Sequence, residues 1–361
     1  MAQVMSSRTE EPREDFHAER NDGLRRYAEA FELNRNPVND CEQGVIAETM
    51  NRMVKDTFGE QQKKATNIWD FVSAIPADRI YIVHKIGSGT YSTVYLAKVN
   101  RTHKVALKWV NVKDLPVNIR EKFLAREVEV WKKLSHPNIL ALFSVLHFPH
   151  SVGMFCEPSS YGDMLQVLLD MGPTINILQR ALWLSQIVKA VDYMHSKGIA
   201  HRDLKCENCL YFKNDVIKVS DFGFCVEARQ RAELSRTHCG SRAYSAPELV
   251  RGEPYDVFKA DVWAIGCITA VVLNYEMPFP DSAEITNSQF IQQLDRRILI
   301  ARPDYYYGRI CQFTLDSLLV HDYRHRPDMG NVMLLRLWRR LTTSSMEHLQ
   351  LRDWLYKYGI L

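Results

Sequence analysis

The sequence predicts an α+β fold in two parts, on three observations. Short apolar strand patterns and glycine turns crowd the stretch from residue 80 to about 157, with one helical pattern among them. Long helical patterns dominate from about 160 to 340. The third observation is size: 361 residues hold one large or two small domains, and 46% hydrophobic with 25% charged residues is the balance of a soluble globular protein. The expected organisation is an N-terminal extension over 1–79, a folded domain over 80–340 divided near 157–160, and a C-terminal tail over 341–361.

Charge and cysteine usage narrow the function classes. Forty-six basic residues against 43 acidic ones leave a net charge of +3, which gives no argument for nucleic acid or a membrane surface as partner. The eight cysteines show no framework spacing, so free thiols in a reducing, cytoplasmic compartment are expected. Cys206-Glu207-Asn208-Cys209 spells C-x-x-C, a redox or zinc half-site, but no second pair completes a zinc set. Met1 to Asp15 is polar and mixed in charge, unlike a signal or transit peptide. The longest apolar run, Val262 to Leu273, suits a buried core helix and is too short to span a bilayer.

Taking the chain in order, Phe16 to Leu33 reads as a weak amphipathic helix broken at Asn36-Pro37, and a second helix is expected from about Val45 to Val54. Two readings fit residues before 80: a partly ordered charged extension, which the sequence favours, or a helical segment docked on the folded domain or on a partner. Ile80 to Val83 then opens a strand that leads through Gly87-Ser88-Gly89-Thr90-Tyr91-Ser92-Thr93-Val94 into a second strand, Tyr95 to Ala97. A glycine turn between strands lets backbone N–H groups approach phosphate oxygens with no Cβ in the way, although an ordinary hairpin turn has the same look. A dinucleotide-binding reading fails, because Val94 to Val99 continues as strand where a helix is required.

Val105-Ala106-Leu107-Lys108 reads as a third strand. Arg120 to Leu134 is helical in period, with Phe123, Leu124, Val128, Trp131 and Leu134 apolar, and closes before His136-Pro137-Asn138. Strands follow around Ile139 to Leu146 and from Val152 to Glu157. A long helical pattern, Leu178 to His195, delivers the chain to His201-Arg202-Asp203-Leu204-Lys205-Cys206-Glu207-Asn208, with Ser220-Asp221-Phe222-Gly223 shortly after. Phosphoryl transfer needs an acceptor for the substrate hydroxyl proton, carboxylate and amide ligands for magnesium, and a cation near the γ-phosphate. This stretch supplies all of them.

Together with Gly87-Ser88-Gly89, Val105-Ala106-Leu107-Lys108 and Ala246-Pro247-Glu248, these strings resemble the eukaryotic protein kinase superfamily over about residues 80 to 340. The resemblance implies a bilobal α+β fold with a five-stranded sheet and one main helix in the N-lobe, a mostly helical C-lobe, and ATP with Mg2+ as cofactors. It assigns Asp203 as catalytic base, Lys205 to steady the transferred group, and Asn208 and Asp221 to hold magnesium. Lys108 would grip the α- and β-phosphates, paired with Glu127, while Glu129 reads as a surface charge. Ile86, Gly87, Gly89, Val94 and Ala106 would bound the nucleotide. The carbonyl of Glu157 and the N–H of Ser159 would hold adenine, Cys156 would guard the back of that pocket, and Asp163 would reach the ribose. Asp261 is expected to tie to the catalytic-loop backbone, and Arg326 to pair with buried Glu248.

Lys205, and Gly240-Ser241 with Tyr244, resemble serine/threonine rather than tyrosine kinases. Thr237 is the expected activation-loop phosphosite, paired with Arg202 and set by an upstream activating kinase. Two positions depart from the family pattern: Ser92 stands where a third glycine is usual, and Arg242 where a proline is usual, which puts the pocket for the residue after the phosphoacceptor in doubt. Thr237 to Glu248 and the His201 to Asn208 string look most like the testis-specific serine/threonine kinases of the calcium/calmodulin-dependent group. That likeness implies protein substrates carrying Ser or Thr and a role in spermatogenesis, and the Glu207 carboxylate would favour a basic residue upstream of the acceptor by charge pairing. The alternative is a pseudokinase acting as a scaffold or allosteric partner.

Overall fold

The computed structural model describes residues 46, 48–50, 67–75, 80–89, 91–116, 124–175, 177–228, 234–296, 298, 307–333 and 335. They fall into two compact units, one ending at Ser160 and one beginning at Tyr161. The helix expected over Phe16 to Leu33, the first residues of the one expected from Arg120, and the tail over 341–361 lie outside the described residues.

The unit ending at Ser160 is built on an antiparallel sheet of five strands in the order β1-β2-β3-β5-β4. These are β1 (Ile80–Ser88), β2 (Thr93–Val99), β3 (His103–Asn111), β4 (Leu142–Phe148) and β5 (Ser151–Cys156). Side chains alternate between faces with period two, so β3 sends Val105 and Leu107 one way and Ala106 and Lys108 the other. Lys108 sits opposite Val94 on β2 and Met154 on β5, and Ala106 opposite Leu96 and Cys156. The other face carries the core: Leu107, Ala97, Val99, Phe143, Leu146, Phe148 and Phe155 cluster with Ile46, Met50, Ile68 and Phe71.

Those last four residues precede the first strand. Helix α1 (Ile68–Ser73) is capped by Asn67, whose side chain accepts from the N–H groups of Trp69 and Asp70. It drives Phe71 to 0% exposure, edge-on to Phe148 with ring centroids 5.0 Å apart. Gly153 of β5 makes the room, since a Cβ there would stand 2.3 Å from the Phe71 ring. The sequence favours a charged extension here; at the described residues the structure shows a docked helix instead. The pattern is weak because only Ile68 and Phe71 of the six-residue helix are buried.

Helix α2 (Ala125–Lys133) buries Glu127, Val128, Val130 and Trp131, and the Trp131 indole donates to the Leu140 carbonyl at 2.7 Å.

The unit from Tyr161 is mostly helical. Its elements are α3 (Met164–Met171), α4 (Ile177–Ser196), β6 (Ile199–Ala200), β7 (Cys209–Phe212), β8 (Val216–Val219), β9 (Val226–Glu227), α5 (Pro247–Val250), α6 (Val257–Asn274), α7 (Asn287–Leu294), α8 (Tyr307–Leu318) and α9 (Met329–Met333). Helix α6 is the centre. The apolar run expected from Val262 extends into an 18-residue helix, which corrects the length read from the sequence: it is apolar and long enough to cross a membrane, yet 89% of it is buried inside the protein, as expected of a core helix. Asp256 caps its start by accepting from Phe258 and Lys259 N–H groups, and Tyr275, left-handed at φ 61°, ends it. Arg326 locks this unit, pairing its two terminal nitrogens with both oxygens of Glu248 at 2.9 and 3.1 Å and donating to the carbonyls of Val320, Lys259 and His321. A buried pair keeps its charges only with such additional partners.

Candidate active site

Local chemistry shapes the loop after β6. Arg202 is left-handed at φ 66°, a conformation that costs about 1 kcal/mol or more for a non-glycine residue and persists only when its surroundings impose it. Asp261, buried on α6, imposes it: Oδ1 accepts from Arg202 N–H and Oδ2 from His201 N–H, each at 2.8 Å, with the His195 ring also on Oδ2 at 2.8 Å. The expected tie between Asp261 and the loop backbone is therefore present. A buried carboxylate with three donors is satisfied, which makes it an anchor.

Asp203 follows, at 6% exposure, and converges with the residues expected beside it. Its Oδ2 lies 2.9 Å from Lys205 Nζ and 3.2 Å from Asn208 Nδ2; its Oδ1 accepts from the N–H and the hydroxyl of Ser241 at 3.0 and 3.1 Å. Lys205 also donates to Ser241 Oγ at 2.9 Å. Gly240 lets the chain reach this point: its φ is +93°, and a Cβ would stand 2.6 Å from the Arg202 carbonyl oxygen.

Asn208 donates from Nδ2 to the backbone carbonyl of Asp203 at 2.7 Å, so its amide oxygen is the end turned away. It immediately precedes β7, while Ser220 and Asp221 follow β8, and the pairing Cys209 with Val219 brings Asn208 and Asp221 to one end of the hairpin. Ser220 N–H donates to the Asn208 carbonyl at 2.8 Å, and the His201 ring to the Ser220 carbonyl at 3.0 Å. An amide oxygen and a carboxylate are the hard oxygen donors that magnesium takes alongside phosphate, so these residues fit the ion.

In the other unit, Lys108 Nζ stands 2.6 Å from Glu127 Oε1, with Glu127 buried on the first turn of α2 and Glu129 exposed, as the resemblance expects. Gly87 pairs with Val94 across the β1–β2 turn, and Gly89 N–H donates to the Ser92 carbonyl at 2.8 Å. Ile86 is 48% exposed beside that turn, at a bulge between Lys85 and Gly87. Ala106 shares the Lys108 face. Cys156 is fully buried, its thiol 3.7 Å from the Ala106 carbonyl, and burial, with the nearby Glu157 carboxylate, pushes its pKa up to about 12.

Several expected residues also make contacts of their own. The Glu157 carboxylate, for which the sequence suggests nothing, accepts from Ala141 N–H at 2.7 Å, while Glu157 N–H donates to the Ala141 carbonyl at 3.2 Å, fastening β5 to the start of β4. Ser159 follows β5 in a segment without regular secondary structure. Asp163 caps α3, accepting from Gln166 N–H at 3.0 Å. Thr237 is exposed; its carbonyl accepts from the Tyr255 hydroxyl at 2.8 Å, while Arg202 Nε donates to the Phe224 carbonyl at 2.7 Å. Cys206 and Cys209 are both fully buried, and desolvation pushes both thiols up, which disfavours the free thiolate that thiol–disulfide exchange needs. Glu207 is also pushed up by burial and accepts from the Tyr244 hydroxyl at 3.3 Å.

Residues 80–335 match the family described as protein kinase domain. The chain is 36% identical over 251 residues to testis-specific serine/threonine-protein kinase 3 of Mus musculus, covering 68% of this chain and 91% of that protein. The Homo sapiens protein of the same name is 36% identical over 253 residues, with the same coverage. Serine/threonine-protein kinase kin-29 of Caenorhabditis elegans is 32% identical over 283 residues, 73% of this chain but 33% of that protein, so the chain spans about a third of that relative's length. With the five-stranded unit, the helical unit and the Asp203 cluster in place, the chain belongs to the protein kinase family, among its serine/threonine kinases.

Proposed function

We propose that this protein transfers the γ-phosphoryl group of ATP to serine or threonine hydroxyls of protein substrates, with Asp203 receiving the hydroxyl proton. The Asp203 carboxylate carries this reading: it is desolvated, with a cation on one oxygen and a loop hydroxyl on the other. A carboxylate has about four lone-pair sites, and here four groups occupy them. An incoming hydroxyl takes the place of the longest contact, Asn208 Nδ2 at 3.2 Å or Ser241 Oγ at 3.1 Å, and Lys205 remains to hold Ser241. Lys205 balances charge on the group in transfer, and Asn208 and Asp221 hold the magnesium. That ion, when bound, neutralises charge on the phosphate oxygens. Lys108, oriented by Glu127, grips the α- and β-phosphates; Ile86, Gly87, Gly89, Val94 and Ala106 bound the nucleotide; the backbone of Glu157 and Ser159 holds its base and Asp163 its ribose. Rate comes from alignment and fixed charge.

The proposal extends to regulation and setting. Thr237 is exposed and its segment is fastened to Tyr255, which favours access by an upstream kinase, and the Arg202 cation is the partner its phosphate would need. A role in sperm development rests on the names of the two mammalian relatives, and a reducing, cytoplasmic setting on Cys206, Cys209, Cys239 and Cys267, which form no disulfide.

The test is transfer of labelled γ-phosphate from Mg-ATP to a basic Ser/Thr substrate by wild type, Asp203→Asn and Thr237→Ala, with and without a candidate upstream kinase. Expected is transfer by wild type, a loss of at least about 100-fold in Asp203→Asn, and no upstream activation of Thr237→Ala. Wild type inactive under every condition turns the reading toward a scaffold; Thr237→Ala activated as fully as wild type removes the phosphosite.

A further inference from the structure

Arg242, the residue where the kinase pattern has proline, is the most heavily engaged side chain near Asp203 that the proposed chemistry does not use. Its guanidinium meets Asp281 through both Nε, at 3.0 Å, and NH2. NH1 donates to Asn287 Oδ1 at 2.9 Å, and NH2 also reaches the carbonyls of Ser282 and Ile285 at 3.1 and 3.0 Å. The charged group lies over the Phe290 ring of α7, 5.3 Å from its centroid. Four of its five N–H groups are engaged by residues 281–287, which turns most of the guanidinium away from reading a charge on a substrate. A lone surface pair is worth little, but this one is bidentate, backed by main-chain carbonyls and 32% and 18% exposed at its two ends.

The clamp acts on what precedes and follows it. Ser241 N–H and Oγ hold Asp203 Oδ1, and Tyr244 N–H and Ser245 N–H close back on the Ser241 and Arg242 carbonyls, making residues 241–245 one rigid turn. Proline would stiffen this point by fixing φ from within; Arg242 does it from outside, by tying the turn to the loop before α7. We infer that Arg242 is a positioning residue for Asp203, acting through Ser241, with Asp281 as its anchor. The inference rests on the proposed base role of Asp203.

The test uses the full chain, saturating peptide and Mg-ATP, and compares Arg242→Ala, Asp281→Asn and Arg242→Lys in the wild-type and Ser241→Ala backgrounds. Arg242→Ala is expected to lower kcat about tenfold, because small misplacement of a catalytic group is costly, and to leave the KM for ATP within about twofold. Asp281→Asn lowers kcat in the same way, and Arg242→Lys recovers only part of the loss, since an ammonium cannot make the fork. In the Ser241→Ala background, which removes the hydroxyl contact to Asp203 and keeps the backbone one, the Arg242→Ala step shrinks clearly below tenfold. Wild-type kcat in Arg242→Ala, the same tenfold step whether or not Ser241 is present, or a rise confined to the peptide KM each overturns the inference. Should Arg242→Ala fail to fold by circular dichroism, Asp281→Asn, which truncates nothing, decides by the same criteria. An Asp203→Asn chain as active as wild type overturns the base role itself, an outcome distinct from all of these.

Discussion

Phe71→Ala isolates the contribution of the helix docked ahead of β1. The ring is fully buried, in contact with Phe148 at 5.0 Å and Phe155 at 6.4 Å between centroids. A buried phenylalanine removes about 200 Å² from water, worth about 5 kcal/mol at 25 cal/mol/Å², and a compact unfolded chain trims this to about 3–4 kcal/mol. Large-to-small core substitutions fall in the same range. Urea unfolding followed by tryptophan fluorescence should therefore show a loss of about 3–4 kcal/mol in the unit ending at Ser160. Gly153→Ala supplies the control. Its Cβ would lie 2.3 Å from the Phe71 ring and 3.0 Å from Leu107 Cδ1; the leucine can swing aside, but the ring is held against Phe148 and Phe155. Gly153→Ala alone should destabilise, while in the Phe71→Ala background it should be neutral or stabilising, because alanine suits a strand better than glycine by about 0.5 kcal/mol and fills part of the hole. A Phe71→Ala loss below about 1 kcal/mol, or additive effects of the two substitutions, would refute the docking argument.

Two further outcomes are expected. Arg326→Ala should cost about 3–5 kcal/mol by urea titration, since Glu248, 3% exposed, would keep its charge without its partner; a loss under about 1 kcal/mol would show that water reaches the pair. Cys156 adds a pH dependence. Its folded pKa of about 12 lies above the ordinary thiol value of 9.0, so its contribution is complete below about pH 9 and fades as the pH rises toward 12. Stability measured from pH 8 to 11 should fall less steeply in Cys156→Ala than in wild type, and identical slopes would contradict the burial of this thiol.

The catalytic loop was the most legible part of the molecule because its chemistry is local in sequence: Asp203, Lys205 and Asn208 lie within one turn of chain, and any fold that presents them together must space them this way. The Lys108–Glu127 contact spans 19 residues, and it was anticipated through the kinase resemblance, which expects an acid on the helix that follows the lysine's strand. Phe71 was missed. It stands in Ile68 to Ile75, an apolar stretch too short to sustain a period, and a further signal for it lay far away, in a glycine within a strand at 153, which marks close approach by another group. Arg242 was legible only as a departure from a pattern. Its meaning needed Asp281, 39 residues on, in a loop with no motif of its own.

Most of the precision at Asp203 comes from residues that never meet a substrate. Arg202 and Asp221 are both left-handed, at φ 66° and 64°, and a chain free to relax would leave those conformations. Asp261 holds the first through two backbone N–H groups, and the His201 ring, bonded to the Ser220 carbonyl, reaches the segment that carries the second. Gly240 brings Ser241 against Asp203 at an approach no other residue permits, since a Cβ would strike the Arg202 carbonyl. The loop is thus held on one side by a buried carboxylate on α6 and on the other by the turn that Arg242 ties down. Loosening either side should affect alignment before stability, because Asp203 keeps its Lys205 and Asn208 contacts while losing the geometry that Ser241 imposes.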